Sequence, residues 1–132
     1  MSVPDRRDKG AAMMQREYAE VVPVPPAGQS AFADLMREQL FAEVWTREAL
    51  SVRDRRLLTM GVIAALGERT TWGIQVRAAL ANGELTAEQA REALIHLAQY
   101  AGYPRVSGLL RVTEEAIAVA EQRQPVTREQ GR

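Results

Sequence analysis

The chain of 132 residues contains no cysteine and a single histidine, His96. The absence of cysteine excludes disulfide bonds, thiolate nucleophiles and Cys-X-X-Cys redox chemistry. With one histidine, a zinc site built from nitrogen and sulfur ligands is not expected. An all-carboxylate magnesium or calcium site stays open, but no loop has an EF-hand or P-loop pattern, so we assign no metal ligand.

The sequence also lacks an excess of charge and any long apolar run. Formal net charge is zero at pH 7, and acidic residues interrupt the basic clusters at residues 6–7 and 53–56. We therefore expect no nucleic-acid partner. The apolar runs are too short to cross a bilayer, and the charged N-terminus lacks the apolar stretch of a signal peptide. We expect a soluble cytoplasmic protein with no membrane partner.

The residues that are abundant favour helices. Hydrophobic residues make up 46% of the chain and aromatic residues only 5%, with many alanines and leucines. No segment alternates polar and apolar residues convincingly, and the loops are short. These features predict an all-α fold, a compact antiparallel helical bundle.

Three ranges are predicted along the chain. Residues 1–29 form an N-terminal arm: a short helix over 9–18, whose Met13, Met14 and Tyr18 dock on the body, then an extended proline-rich segment over 21–29. Residues 30–123 form the helical domain, and residues 124–132 form a flexible tail.

Capping residues predict five helices in the domain. Ser30 caps a helix to about residue 46, and Ser51 starts a second that Gly67 ends. The second helix is apolar almost all round over residues 59–66, so we expect it to be central. A third covers 71–81, a fourth begins at the capping box Thr86–Gln89, and a fifth covers 104–123.

His96 lies inside the fourth helix, with an apolar residue on each side. An imidazole titrates near neutral pH, so His96 is the natural proton carrier of this chain. Glu92 lies one turn earlier, where its carboxylate could hold the imidazole and favour its charged form. The alternative is a core or interface histidine that hydrogen-bonds a neighbour.

Five segments, in their order and spacing, resemble the carboxymuconolactone decarboxylase family: residues 41–45, 53–59, 64–67, 76–83 and 94–104. The resemblance implies the all-helical fold shared with alkylhydroperoxidase D, assembled as a homo-oligomer, either a trimer or a hexamer. It implies no cofactor. The peroxidase branch uses a Cys-X-X-Cys pair on the helix that includes residues 72–77 here, so the absence of cysteine excludes that activity.

The resemblance also implies an activity, the decarboxylation of a small carboxylated lactone or enol of the type met in aromatic catabolism. This carbon–carbon lyase reaction needs a cation for the departing carboxylate, a donor for the enolate oxygen and an acid for the carbon. His96 matches the family's motif histidine and is the predicted acid or donor. Arg55 matches the motif arginine and could bind the carboxylate, or could instead form a salt bridge with Glu43 or Asp54.

The remaining candidate site residues follow from the same resemblance. Glu43 matches the family's acid and could orient Arg55 or carry a proton. Gln75 stands where many members have a histidine, so it can donate a hydrogen bond but cannot shuttle a proton. The aromatic residues that could line a substrate pocket, or simply belong to the core, are Trp45, Tyr100 and Tyr103.

Two departures from the family pattern favour an alternative function. The first is Gln75, and the second is Gly108 in place of a pocket asparagine. Both are compatible with a non-catalytic oligomer that binds a small organic acid or has a structural role.

Overall fold

The computed structural model describes residues 2–123 and, over that range, contains helices and no strand. The predicted all-α fold is confirmed. The predicted tail, residues 124–132, lies outside the described residues. The helices are α1 (Val3–Tyr18), α2 (Ala31–Leu35), a π-helical segment (Met36–Val44), α3 (Val52–Leu66), α4 (Arg69–Ala81), α5 (Ala87–Ala101) and α6 (Tyr103–Gln122).

Side-chain caps begin the helices where the sequence predicts them. Ser30 and Ser51 each accept a hydrogen bond from the backbone N–H three residues later, at 3.3 and 3.0 Å. Thr86 and Gln89 form a reciprocal capping box at the start of α5. Gly67 ends α3 with φ of +66°, a left-handed conformation that glycine adopts without strain.

Helix α1 is longer than predicted. The expected helix covered residues 9–18, whereas α1 begins at Val3. Ser2 caps α1 by accepting a hydrogen bond from the Asp5 N–H at 3.2 Å, and a proline occupies the first turn. Proline is favourable there because its missing N–H would have had no partner.

The helix predicted from Ser30 to about residue 46 changes its hydrogen-bond pattern along the way. After α2 the backbone is π-helical, and the Trp45 N–H donates to the carbonyl of Leu40, five residues earlier, at 2.9 Å. This wider turn brings Phe41 and Trp45 into the core, whereas Phe32 is exposed.

The chain divides into two packing units, and the boundary falls within α3 between Arg55 and Arg56. In the N-terminal unit, α1 packs against the π-helical segment. Its core contains Met14, Phe41, Trp45 and Val52, with the predicted docking residues Met13 and Tyr18 packed against it. The proline-rich segment is attached by Arg37, whose Nη2 donates to the Pro25 carbonyl.

In the C-terminal unit, α6 packs against both α4 and α5. Trp72 is fully buried here, and its Nε1 donates to the hydroxyl of Thr113 at 2.8 Å. The core around this pair contains aliphatic side chains from α3, α4, α5 and α6, among them Met60, Val76, Leu94 and Leu109.

The expectation that residues 59–66 lie at the centre holds for only one face of α3. Met60, Ile63 and Ala64 are buried, but Leu58, Val62 and Leu66 are 62%, 62% and 68% exposed. The exposed residues recur every four positions and so form a stripe along one side of the helix. This stretch of α3 is apolar almost all round, yet one of its faces is exposed.

Candidate active site

A buried polar cluster lies at the start of the C-terminal unit, centred on Arg56. This side chain is only 1% exposed. Its Nη1 donates to Oε1 of Gln75 at 2.8 Å, its Nη2 donates to Oε2 of Glu84 at 3.2 Å, and its Nε also donates to Glu84. The fork of the guanidinium thus contacts both oxygens of one carboxylate, the geometry in which arginine binds an acid most specifically.

The loop after α4 positions the carboxylate of this cluster. The Asn82 side chain donates to Oε2 of Glu84 at 3.0 Å. Because Glu84 compensates the buried charge of Arg56, removing either partner would leave an uncompensated charge in a poorly hydrated place. A substrate carboxylate could bind the Nε and Nη2 groups of Arg56 only by displacing Glu84. The pair formed by Arg56 and Glu84 therefore has a structural role.

Gln75 is therefore held in place by Arg56. It lies on α4, is 4% exposed, and its side-chain oxygen is oriented by the guanidinium. The amide group consequently turns its donor nitrogen away from Arg56. From the sequence, Gln75 was predicted to form a hydrogen bond with the substrate.

In contrast to the buried cluster around Arg56, His96 lies on the exposed face of α5. Its imidazole ring contacts the ring of Tyr100, one turn later, with centroids 5.0 Å apart and planes inclined by 37°. Glu92, His96 and Tyr100 recur every four residues and are all exposed. Buried Ala90, Leu94 and Ala98 cover the core from the other face of the helix.

Tyr103 belongs to the same region. It opens α6, is exposed, and its hydroxyl accepts a hydrogen bond from the Gln99 side chain at 2.8 Å. Tyr100 thus lies beside an accessible imidazole on α5, and Tyr103 contacts Gln99 at the corner between α5 and α6. Among residues 2–123, the predicted carboxylate partner Glu92 forms no hydrogen bond with this imidazole.

The other predicted residues belong to the N-terminal unit. Glu43 is exposed and forms an ion pair with Arg6 at 3.4 Å. Trp45 is buried and stacks on Phe41, with centroids 6.1 Å apart. Nη2 of Arg55 donates to the backbone carbonyl of Arg47 at 3.0 Å.

Sequence reasoning missed Arg56 and Glu84. It selected Arg55, the adjacent arginine, because that residue matches the family motif. A periodicity argument could have found Arg56, since it precedes the buried pair Met60 and Ala64 by four and eight residues. Nothing in the sequence pattern indicated Glu84, which lies in a loop.

The described residues contain neither a cluster suited to a metal ion nor a helix suited to a membrane. Over residues 2–123, no three histidine, aspartate or glutamate side chains are grouped so as to hold a metal ion. In the same range, no helix has the length and apolar character needed to cross a membrane.

The family of this protein follows from comparison with known proteins. The sequence profile of the carboxymuconolactone decarboxylase family matches residues 30–115. The chain belongs to this family, which confirms the resemblance drawn from its motifs. No solved structure matches the chain.

Two similar proteins have decarboxylase names. A 4-carboxymuconolactone decarboxylase of Acinetobacter baylyi is 31% identical over 84 residues, which are 64% of this chain and 62% of that protein. A nitrosuccinic acid decarboxylase of Metarhizium robertsii is 31% identical over 108 residues, which are 82% of this chain and 72% of that protein. The chain therefore spans less than two thirds of the length of the Acinetobacter relative.

Proposed function

We propose that this protein is a cofactor-free decarboxylase that acts on a small carboxylated lactone, enol or related organic acid. The observation that carries the proposal is the accessible imidazole of His96 in a chain whose family and relatives have decarboxylase names. Because the imidazole of His96 faces solvent, it can contact a bound molecule, whereas a histidine buried in the core could not.

In the proposed step, the bond between the substrate carboxylate and its neighbouring carbon breaks. The carboxylate leaves as carbon dioxide, and the bonding electron pair stays on the substrate as a delocalised anion, an enolate for a lactone or a nitronate for a nitro acid. His96, in its imidazolium form, then donates a proton to a carbon of this anion and becomes neutral. A proton from water recharges it. The substrate thus exchanges a carboxylate for a hydrogen, with no oxidant or reductant.

The exposed ring of Tyr100 beside His96 supports a substrate role for this face of α5. Tyr100 is 82% exposed, and the Tyr103 hydroxyl lies at the corner between α5 and α6. Phenol hydroxyls can donate to a developing enolate oxygen, as this reaction requires. The roles of Glu43, Arg55 and Trp45 in the N-terminal unit, and of Gln75 and Glu92 in the C-terminal unit, stay predictions that single substitutions test.

Enclosure of His96 is proposed to come from self-association. Charge dispersal during loss of carbon dioxide is favoured where water is excluded, yet this face of α5 is open. Apolar side chains are also open on α3 and α5, namely Leu58, Val62, Leu66 and Ile95. Exposed apolar surface of this kind marks protein interfaces. A homo-oligomer, a trimer or a hexamer, would cover it.

The test is direct assay of the purified protein with 4-carboxymuconolactone and with nitrosuccinate. We expect carbon dioxide release from at least one of them. In deuterium oxide the product should carry one deuterium from solvent, at the carbon that lost the carboxylate or at a carbon conjugated with it. Release no faster than with heat-denatured protein, for both acids, would contradict decarboxylation of either type of substrate.

A second function, binding of a small organic acid without catalysis, is favoured by Gln75. Its oxygen is held by Arg56, in a cluster that has the form of a structural network. If this function holds, both acids bind to the protein in calorimetry but neither is converted.

A further inference from the structure

A groove of about 370 Å³ lies between α4 and α6, within the C-terminal unit. On α4 it is lined by positions 69, 73 and 77, whereas Gln75 of the buried cluster is two residues from Gly73. Successive residues of a helix are about 100° apart, so residues two apart point to nearly opposite sides. The groove is therefore separate from the Arg56 cluster.

Two arginines stand at the ends of this groove. Arg69 and Arg77 are eight residues apart on α4 and both line it. At 1.5 Å per residue, their Cα atoms are about 12 Å apart along the helix axis. Positions four and eight residues apart share one helix face, so both guanidinium groups flank the same channel.

Two glycines allow side chains to pack closely at the groove. A Cβ atom on Gly73 would lie 2.8 Å from Cγ1 of Val112 on α6, closer than real Cβ atoms approach. A Cβ atom on Gly108 would lie 2.6 Å from Nη2 of Arg69. The guanidinium of Arg69 thus lies directly against the backbone of α6. The absence of a side chain at Gly108 is what allows this position.

The groove lining carries two arginines and one acid, so its net charge is positive. Glu115 lines the groove, but it forms an ion pair with Arg111 at 3.1 Å. Over residues 2–123, neither Arg69 nor Arg77 forms an ion pair with a carboxylate. The wall between the two arginines is apolar, formed by Val112, Ala116 and Val119.

We propose that this groove is a binding site for a linear dianion with an apolar middle, namely an α,ω-dicarboxylate. Each end would be bound by one guanidinium, whose planar fork matches a carboxylate. The methylene chain would cover the apolar wall and displace water from it. The site is independent of the proposed decarboxylation, because it uses none of the residues assigned to that reaction.

Isothermal titration calorimetry with suberate tests the proposal. We expect one suberate per chain at saturation. Octanoate, which keeps the apolar chain but has one carboxylate, should bind at least about tenfold more weakly, because one charge-assisted pair is lost. Succinate, which is too short to reach both arginines, should be similarly weak.

Three substitutions identify the groove. Arg69→Gln and Arg77→Gln should each lower the suberate affinity about tenfold or more. Arg47→Gln removes an exposed arginine of the N-terminal unit and should leave the affinity unchanged. His96→Gln should also leave it unchanged, which separates this site from the proposed active site. Thermal melts confirm that each variant is folded.

The proposal is overturned if suberate fails to bind the folded wild-type chain at millimolar concentration. It is equally overturned if suberate binds but both groove variants retain the wild-type affinity. Loss of suberate binding in His96→Gln alone would place the dicarboxylate at the α5 face instead.

Discussion

Arg56 and Gln75 are joined inside the C-terminal unit by a hydrogen bond of 2.8 Å in which Nη1 is the donor and Oε1 the acceptor. The guanidinium is buried and is also bound by Glu84. A cation in this position stabilises the fold only as long as its acceptors are present. Gln75 is thus part of a structural network in this chain.

Replacing Arg56 by methionine should lower the free energy of unfolding by about 3–5 kcal/mol, because Glu84 would keep a charge without its partner. Urea denaturation followed by circular dichroism measures this loss. The matched control is Arg53→Met, on the first turn of the same helix, where the side chain is 43% exposed. An exposed arginine should cost no more than about 1 kcal/mol. Equal losses for the two variants would show that Arg56 does not anchor the cluster.

Gln75→Leu should lower the free energy of unfolding by about 1–3 kcal/mol, because a buried hydrogen bond from Nη1 of Arg56 would be lost. In the Arg56→Met background the same substitution should cost less, because there is no donor left to satisfy. A double-mutant cycle by urea denaturation measures the difference, expected at about 0.5–3 kcal/mol. Strict additivity would mean that the two side chains do not depend on each other.

Thr113→Val should destabilise the C-terminal unit by about 1–3 kcal/mol, although valine has nearly the same shape. The hydroxyl accepts from Nε1 of Trp72 at 2.8 Å, and both residues are fully buried. Thr113→Ser keeps the hydroxyl and loses only a methyl group, so it serves as the control. Thermal melts of the two variants separate the effects, and a serine variant less stable than the valine variant would go against the hydrogen bond.

Acid should weaken the fold partly through Glu68, the N-cap of α4. Hydrogen bonds from the Thr71 side chain, and then from the Thr71 and Thr70 backbone N–H groups, hold the pKa of Glu68 below its ordinary value of 4.5. A lowered pKa in the folded state means that the stabilisation is present above the ordinary pKa. It is lost as the pH falls through the folded-state pKa.

The melting temperature should fall as the pH is lowered from neutrality through the range in which glutamate titrates. This fall should be smaller for the Glu68→Gln variant than for the wild type. Glu48→Gln, an exposed residue outside any helix, is the control and should follow the wild type. Parallel melting curves for Glu68→Gln and wild type at every pH would argue against the cap.

The predictable part of the fold was the part encoded by local chemistry. Ser30, Ser51 and the Thr86–Gln89 box begin helices at their predicted places because a cap acts within one turn. The π-helical pattern ending at Trp45 was not predictable, since it depends on which side chains the core must accommodate. The early start of α1 was predictable from Ser2 and the following proline, and was missed.

The candidate site was only partly accessible from the sequence. The resemblance selected His96 and Gln75 as candidates from the spacing of the motifs, and their roles stay predictions. It selected Arg55 rather than Arg56, because motif matching does not report which of two neighbouring arginines faces the core. The partner Glu84 could not be predicted, since a loop residue meets a helix only after the chain has folded.

The most direct test of the proposed function is the rate of carbon dioxide release by His96→Gln compared with wild type, on whichever of the two acids the wild type converts. Removal of a proton donor should lower this rate by about 100-fold or more. The melting temperature should stay within a few degrees, because His96 is exposed and outside the core. A folded His96→Gln protein that releases carbon dioxide at the wild-type rate would contradict the role proposed for this histidine.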